Sequence, residues 1–191
     1  MFGWLTHALA TVCPHFHTPA GQPRWLRIAP EALVSRLPLL GSVLYLPMHA
    51  GDASAEHSAR GWLADRVELI PLLHTHWLLA ACVIGSDGPR EWIECVDANG
   101  CLRARLHLLP DTDYLAWDVL LSAGEPIVAP PFGRVQRPFR AACARLFGFR
   151  HKQMSGLHVL SCTETVHLSA LGQGIAREVA KAEALELSRS D

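Results

Sequence analysis

The segment Asp97-Ala98-Asn99-Gly100 most constrains this chain, because it lies between two runs that must fold back on each other. Its residue types are those that tight hairpin turns favour, since Asn and Gly tolerate positive φ. Downstream, Leu102, Ala104, Leu106 and Leu108 alternate with Arg103, Arg105 and His107. That period of two marks a strand with one apolar face and one polar face. Upstream, Trp92–Val96 is its expected partner. A helix is then expected through Tyr114, Leu115, Trp117, Val119 and Leu120, capped by Asp111 or Thr112.

Ahead of the hairpin, residues 67–84 are too continuously apolar for a solvent-facing strand, while Pro71 and Thr75 oppose one long helix. The pattern predicts strands over Val67–Leu69 and Leu72–Ile84, ended by Gly85-Ser86-Asp87-Gly88-Pro89. Pro30–Leu37 reads as a helix with proline at its start, where a missing N–H does no harm. Val43–Leu46 reads as a short strand. Residues 1–13 read as a short helix, 14–23 as a loop and 47–61 as a loop or a mobile turn of helix. After the proline-rich stretch Gly124–Gly133, Pro138 is expected to open a helix reaching Phe147. A strand over Leu157–Leu168 and an amphipathic helix over Gly174–Leu187 follow.

At 191 residues, with half of them apolar and 18% charged, the chain has the composition of a globular domain with a real core. A net charge of −1 favours no particular class of partner. Residues 126–163 carry no acidic residue and hold a run of basic residues from Arg134 to Lys152. Phe139, Phe147 and Phe149 interleave with it and read as packing residues with the arginines exposed, so nucleic acid is not the expected partner. The six cysteines show no CxxC spacing. The N-terminus lacks a basic leader, and no apolar run reaches the length of a membrane span. A cytoplasmic protein with reduced thiols is expected. No GxSxG, HExxH or phosphate-cradling glycine loop is present, so the sequence does not argue for a hydrolase or transferase.

The candidate chemistry centres on His74-Thr75-His76-Trp77. On a strand, residues two apart share a face, so both imidazoles could meet a metal or a haem iron; the alternative is two satisfied histidines in a sheet. A zinc site would need further ligands that the spacing does not supply. Cys13-Pro14-His15-Phe16-His17 could offer a thiolate to haem iron, or be a plain loop. Arg103, Arg105 and His107 could clamp carboxylates, or form the solvated face of an antiparallel sheet.

Over Gly41–Leu46, His74–Trp77 and Trp92–Leu121 the chain resembles the HemS/ChuX group of bacterial haem-utilisation proteins. Leu40-Gly41-Ser42-Val43 echoes that group's Leu-Gly-Glu-Val opening, and His76-Trp77 its His-Trp strand. Asp97-Ala98-Asn99-Gly100 matches its Asp-x-x-Gly turn, and Asp113-Tyr114-Leu115-Ala116-Trp117 follows the order of its Asp-x-Ala-Trp helix with one more residue between Asp and Ala. The resemblance implies an α+β fold, an antiparallel β-sheet with helices packed on one side. It implies a unit over 26–124, an extension over 1–25, and a helix-strand-helix segment over 134–187 that is either an addition or a degenerate second half of the domain. It further implies a cytoplasmic haem protein, a carrier rather more than an enzyme, that dimerises and hands haem on from an importer or to a haem oxygenase. His76 or His74 would ligate iron, Trp77 would pack on the porphyrin, and Arg103 and Arg105, with His107 beside them, would meet the propionates. Two other functions fit the same unit: an interaction module that has lost haem, and a haem-degrading enzyme. Pro71 stands where two-unit members carry an arginine near the haem.

Overall fold

The computed structural model describes residues 18–19, 23–48, 59–85, 88–128, 130, 132, 139–164 and 167–188. The expected N-terminal helix, Cys13–His17, most of the 47–61 loop and Pro138 lie outside these residues.

The predicted hairpin is present. Strand β6 (Gly88–Asp97) turns into β7 (Leu102–His107). Asp97 Oδ1 accepts hydrogen bonds from the backbone N–H groups of Asn99 and Cys101, both at 2.9 Å. Gly100 takes φ +81°, a conformation open to glycine at no steric cost.

Around this hairpin, nine further strands complete one mostly antiparallel sheet among the described residues. They are β1 (Thr18–Pro19), β2 (Arg24–Arg27), β3 (Ser42–Pro47), β4 (Trp62–Ala64), β5 (Thr75–Gly85), β8 (Glu125–Ile127), β9 (Ala144–Met154), β10 (Leu157–Glu164) and β11 (Leu187–Ser188). The order across the sheet is β4-β10-β9-β3-β7-β6-β5-β2-β8, with β1 also on β5 and β11 also on β9. The β4–β10 and β9–β11 pairs are parallel. Because β9 pairs with β3, the C-terminal segment extends the same sheet that the hairpin belongs to.

Helices α1 (Pro30–Val34), α2 (Ile70–Leu73) and α3 (Tyr114–Ser122) cover one face. Leu33, Val34, Leu72, Trp117 and Leu120 pack there on Val43, Tyr45, Leu78, Ile93, Leu106 and Phe147. Each aliphatic side chain fully buried this way contributes about 1.5–3 kcal/mol. Tyr45 is fully enclosed here; its hydroxyl donates to the Glu68 carbonyl at 2.6 Å, and burial pushes its phenol pKa well up. Helix α4 (Ala170–Ala182) packs on the other face, where Ile175, Ala176 and Val179 meet Leu44, Leu46 and Ala144. The α+β architecture is as expected, with three helices to one side and α4 added on the other.

Several elements differ from expectation. Val67–Leu69 is a 3-10 turn leading into α2, not a strand, because Pro71 fits the first turn of a helix. The following strand therefore starts at Thr75. The cap of α3 is Asp113, whose side chain accepts from Ala116 N at 2.9 Å. Thr112 instead ties the loop after β7 to β3, accepting from Leu109 N at 2.9 Å and donating to the Ser42 carbonyl. The helix expected up to Phe147 is replaced by β9. Phe147 and Phe149, two apart, are both buried on one face, and Gly148 allows close approach, since a Cβ there would lie 3.2 Å from the Gly41 carbonyl oxygen. The final helix begins at Ser169, its N-cap, and ends at Ala182.

Candidate functional site

His74 is not on the strand. It is the C-cap of α2, with φ −107° and ψ 7°, so the shared strand face expected for the two imidazoles does not form. His76 sits where the β5–β6 register slips between Thr75 and Trp77. Such a bulge leaves an extra residue on one strand and re-aims its side chain. The His76 carbonyl accepts from Ile28 N at 2.9 Å, which anchors the backbone at this point.

The two histidines are nevertheless coupled. His76 Nδ1 lies 3.0 Å from the His74 carbonyl oxygen. A carbonyl can only accept, so Nδ1 is the donor. In the neutral ring the lone pair is therefore on Nε2, and a backbone carbonyl fixes the ring's orientation. Metal-ligating histidines are commonly held this way.

Trp77 turns toward other aromatics. Its ring meets Phe132 edge-on at 5.7 Å, and Trp25 meets the same phenyl ring at 5.8 Å. Its indole N–H is buried without a hydrogen-bond partner.

The three polar residues of β7 form no solvated face, contrary to the outer-face reading. Arg103 Nε and Nη2 both reach Asp97 Oδ2 at 2.7 Å, which braces the hairpin turn. The Arg105 side chain, only 6% exposed, bridges Glu94 on β6 at 3.0 Å and Glu183 just beyond α4 at 2.7 Å. Its guanidinium also lies over the Phe139 ring, 4.1 Å from the centroid. Burial raises the Glu183 pKa, and the Arg105 charge works against that rise. His107 is buried and stacks on Trp92 at 6.0 Å. Burial, helped by the Arg105 charge, drives its pKa down to about 3, and its Nε2 has no hydrogen-bond partner. A neutral imidazole in apolar packing cannot offer charge to a carboxylate. Asp97 takes up Arg103, Glu183 and the Phe139 ring close over Arg105, and Trp92 covers His107.

Haem thus fits part of the residue set and not the rest. His76 has the tautomer and backbone anchor of a ligand. Arg103 and Arg105 are engaged by carboxylates of the same chain, and His107 is enclosed, so none of the three fits a propionate contact. Among the described residues, no group of three or more His, Cys, Asp and Glu could hold a metal ion, and none of the helices is long and apolar enough to cross a membrane. The described cysteines, Cys82, Cys95, Cys101, Cys143 and Cys162, are all free thiols; burial pushes Cys95 up to about 12.

A further group, not singled out from the sequence, is Trp62, His151 and His158. His151 and His158 lie on the two arms of the β9–β10 hairpin. The Ser155-Gly156 turn, with φ +48° and +83°, could have signalled that hairpin; the expected helix up to Phe147 hid it.

No protein-family model matches the chain, and no curated protein sequence matches it. Solved structures align with it in part, among them the following two. One is holo-PhuS, a haem-binding protein from Pseudomonas aeruginosa, with TM-score 0.39, 16% identity, and coverage of 60% of this chain and 38% of that one. The other is the haem-degrading enzyme ChuS from Escherichia coli O157:H7, with TM-score 0.40, 15% identity, and coverage of 60% and 39%. The chain therefore spans well under half the length of either. Likeness at this level carries no argument for either activity.

Proposed function

We propose that this protein binds haem through His76 as a carrier, in the manner the haem-utilisation resemblance implies. One observation supports the reading above the others: the Nδ1–H bond from His76 to the His74 carbonyl, which fixes the ring's orientation and puts the lone pair of the neutral ring on Nε2. His74 is then a positioning residue acting through its backbone. Bound haem would supply iron chemistry; the chain's part would be to hold it through the His76 imidazole, oriented by the His74 carbonyl. Trp77 would border the site rather than cover it, since it packs on Phe132. A homodimer and an exchange partner such as a haem importer or oxygenase belong to the same proposal.

Hemin added to the apo protein should produce a Soret band that His76→Ala removes. No hemin-induced band at micromolar protein would overturn the reading.

The occupied arginines favour one alternative, an interaction module on this fold that has lost haem. Arg103 and Arg105 meet Asp97, Glu94 and Glu183 instead of facing outward. The hemin titration separates the two readings directly.

A further inference from the structure

Trp62, His151 and His158 form a compact aromatic group near one edge of the sheet. Across β9 and β10, His151 faces Leu160 and His158 faces Gln153, so the two histidines are diagonal neighbours on one face. Trp62 on the edge strand β4 is the direct partner of His158. The Trp62 ring stacks on His158 at 4.9 Å and lies 4.8 Å from His151. His151 Nε2 and His158 Nδ1 are 2.7 Å apart and share one hydrogen.

We infer that this imidazole pair is a surface binding site for a divalent transition-metal ion, Cu(II) above others. Two imidazole nitrogens in adjacent positions of a tetragonal ion, each about 2.0–2.1 Å from it, lie about 2.9 Å apart. The observed separation of 2.7 Å is close to that, and each ring must also turn so that its lone pair, now directed along the shared hydrogen bond, aims at the ion. The β9–β10 hairpin sets this convergence in advance, because its turn and register hold both rings on one face. The site is open to solvent, so water can fill the remaining coordination positions. A site of two nitrogens and water suits Cu(II), Ni(II) and Zn(II), and Cu(II) heads that order of affinity. The proton balance is simple. The donor ring moves its hydrogen to its other nitrogen, so two neutral imidazoles bind the ion with no net proton release. No residue is shared with the haem reading, and each stands or falls alone.

The test is a titration of the full apo chain with copper(II) sulfate in a non-coordinating buffer, read by tryptophan emission and electron paramagnetic resonance. One equivalent should bind with hyperfine structure from two imidazole nitrogens, and emission should fall. Trp62→Phe should lose most of that fall and keep the resonance spectrum. His151→Gln and His158→Gln should each weaken binding at least about tenfold, since even a ligand's supporting partners carry that much. Unchanged affinity and spectrum in the double variant would overturn the site. A measurement on the unaltered chain guards against misfolded variants. Substoichiometric Cu(II) should broaden the amide resonances of residues 150–160; broadening confined to the histidines at 7–17 or 49–57 would equally overturn it.

Discussion

The guanidinium of Arg105 donates to the Glu183 carboxylate at 2.7 Å across 78 residues of chain. This bond ties the middle of β7 to the segment leaving α4, and Glu94 completes the pair from β6. It removes Arg105 from any ligand site and makes it a structural crosslink. Removing one member of a buried ion pair leaves its partners uncompensated, at a cost of about 3–5 kcal/mol. Arg105→Met should lower the urea midpoint accordingly. A loss within experimental error would mean that the pair does not hold α4 to the sheet.

His107 sets a pH dependence with a defined sign. Its pKa is about 3 in the folded chain and 6.5 ordinarily. Between those values the unfolded chain takes up a proton that the folded one refuses. Stability from this group is complete above about pH 6.5 and is lost as pH falls toward 3, at up to about 1.4 kcal/mol per unit. His107→Phe keeps the stacking on Trp92 and removes the titration. Its stability should therefore decline less than that of the unaltered protein between pH 6.5 and 4 in parallel denaturation curves; matching slopes would refute the assignment.

Two glycines separate backbone strain from crowding. Gly61 and Gly100 take φ +75° and +81°, but a Cβ meets nothing near Gly61 and lies 2.5 Å from the Phe132 ring at Gly100. Gly61→Ala should cost about 1 kcal/mol for the left-handed conformation alone. Gly100→Ala should cost about 1–3 kcal/mol more, from overpacking against Phe132. Equal losses in thermal or urea unfolding would show that Phe132 yields.

Asp113 offers a local test of α3. Its carboxylate accepts from Ala116 N at 2.9 Å. Asp113→Ala should destabilise the chain by about 1 kcal/mol, and Asp113→Asn or Asp113→Ser, which keep an accepting side-chain oxygen, should restore most of that loss in urea denaturation. Equal losses in all three variants would show that the side-chain cap does not hold the helix.

The parts of the fold visible in the sequence are those where local chemistry and tertiary structure agree. Asp97–Gly100 is a turn by residue type alone, and alternation through Leu102–His107 needs no context. The errors fall where one residue serves two ends. Pro71 excludes a strand interior but equally opens a short helix, and the α2 that follows displaced His74 from the strand. In β9, Gly148 and the two phenylalanines serve close packing against Gly41 and Tyr45, contacts that no local window contains. The solvated reading of Arg103, Arg105 and His107 failed for the same reason. Alternation gives the two faces of a strand, but the partners that cover Arg105 (Phe139 and Glu183) come from distant parts of the chain. The motifs that carry the family resemblance mostly have structural tasks. Asp97 closes a turn, Asp113 caps a helix, Trp117 is core, and Gly41 bridges to Thr112 at φ +70°. They mark a fold more than a ligand, and His76 is the member of that set whose bonding suits iron.

Absorbance titration with hemin, run on the unaltered chain, His76→Ala and Arg103→Gln, tests the central claim most directly. A one-to-one Soret band that survives Arg103→Gln and disappears in His76→Ala is the predicted result. A band unchanged in His76→Ala, or none in the unaltered chain, would contradict it.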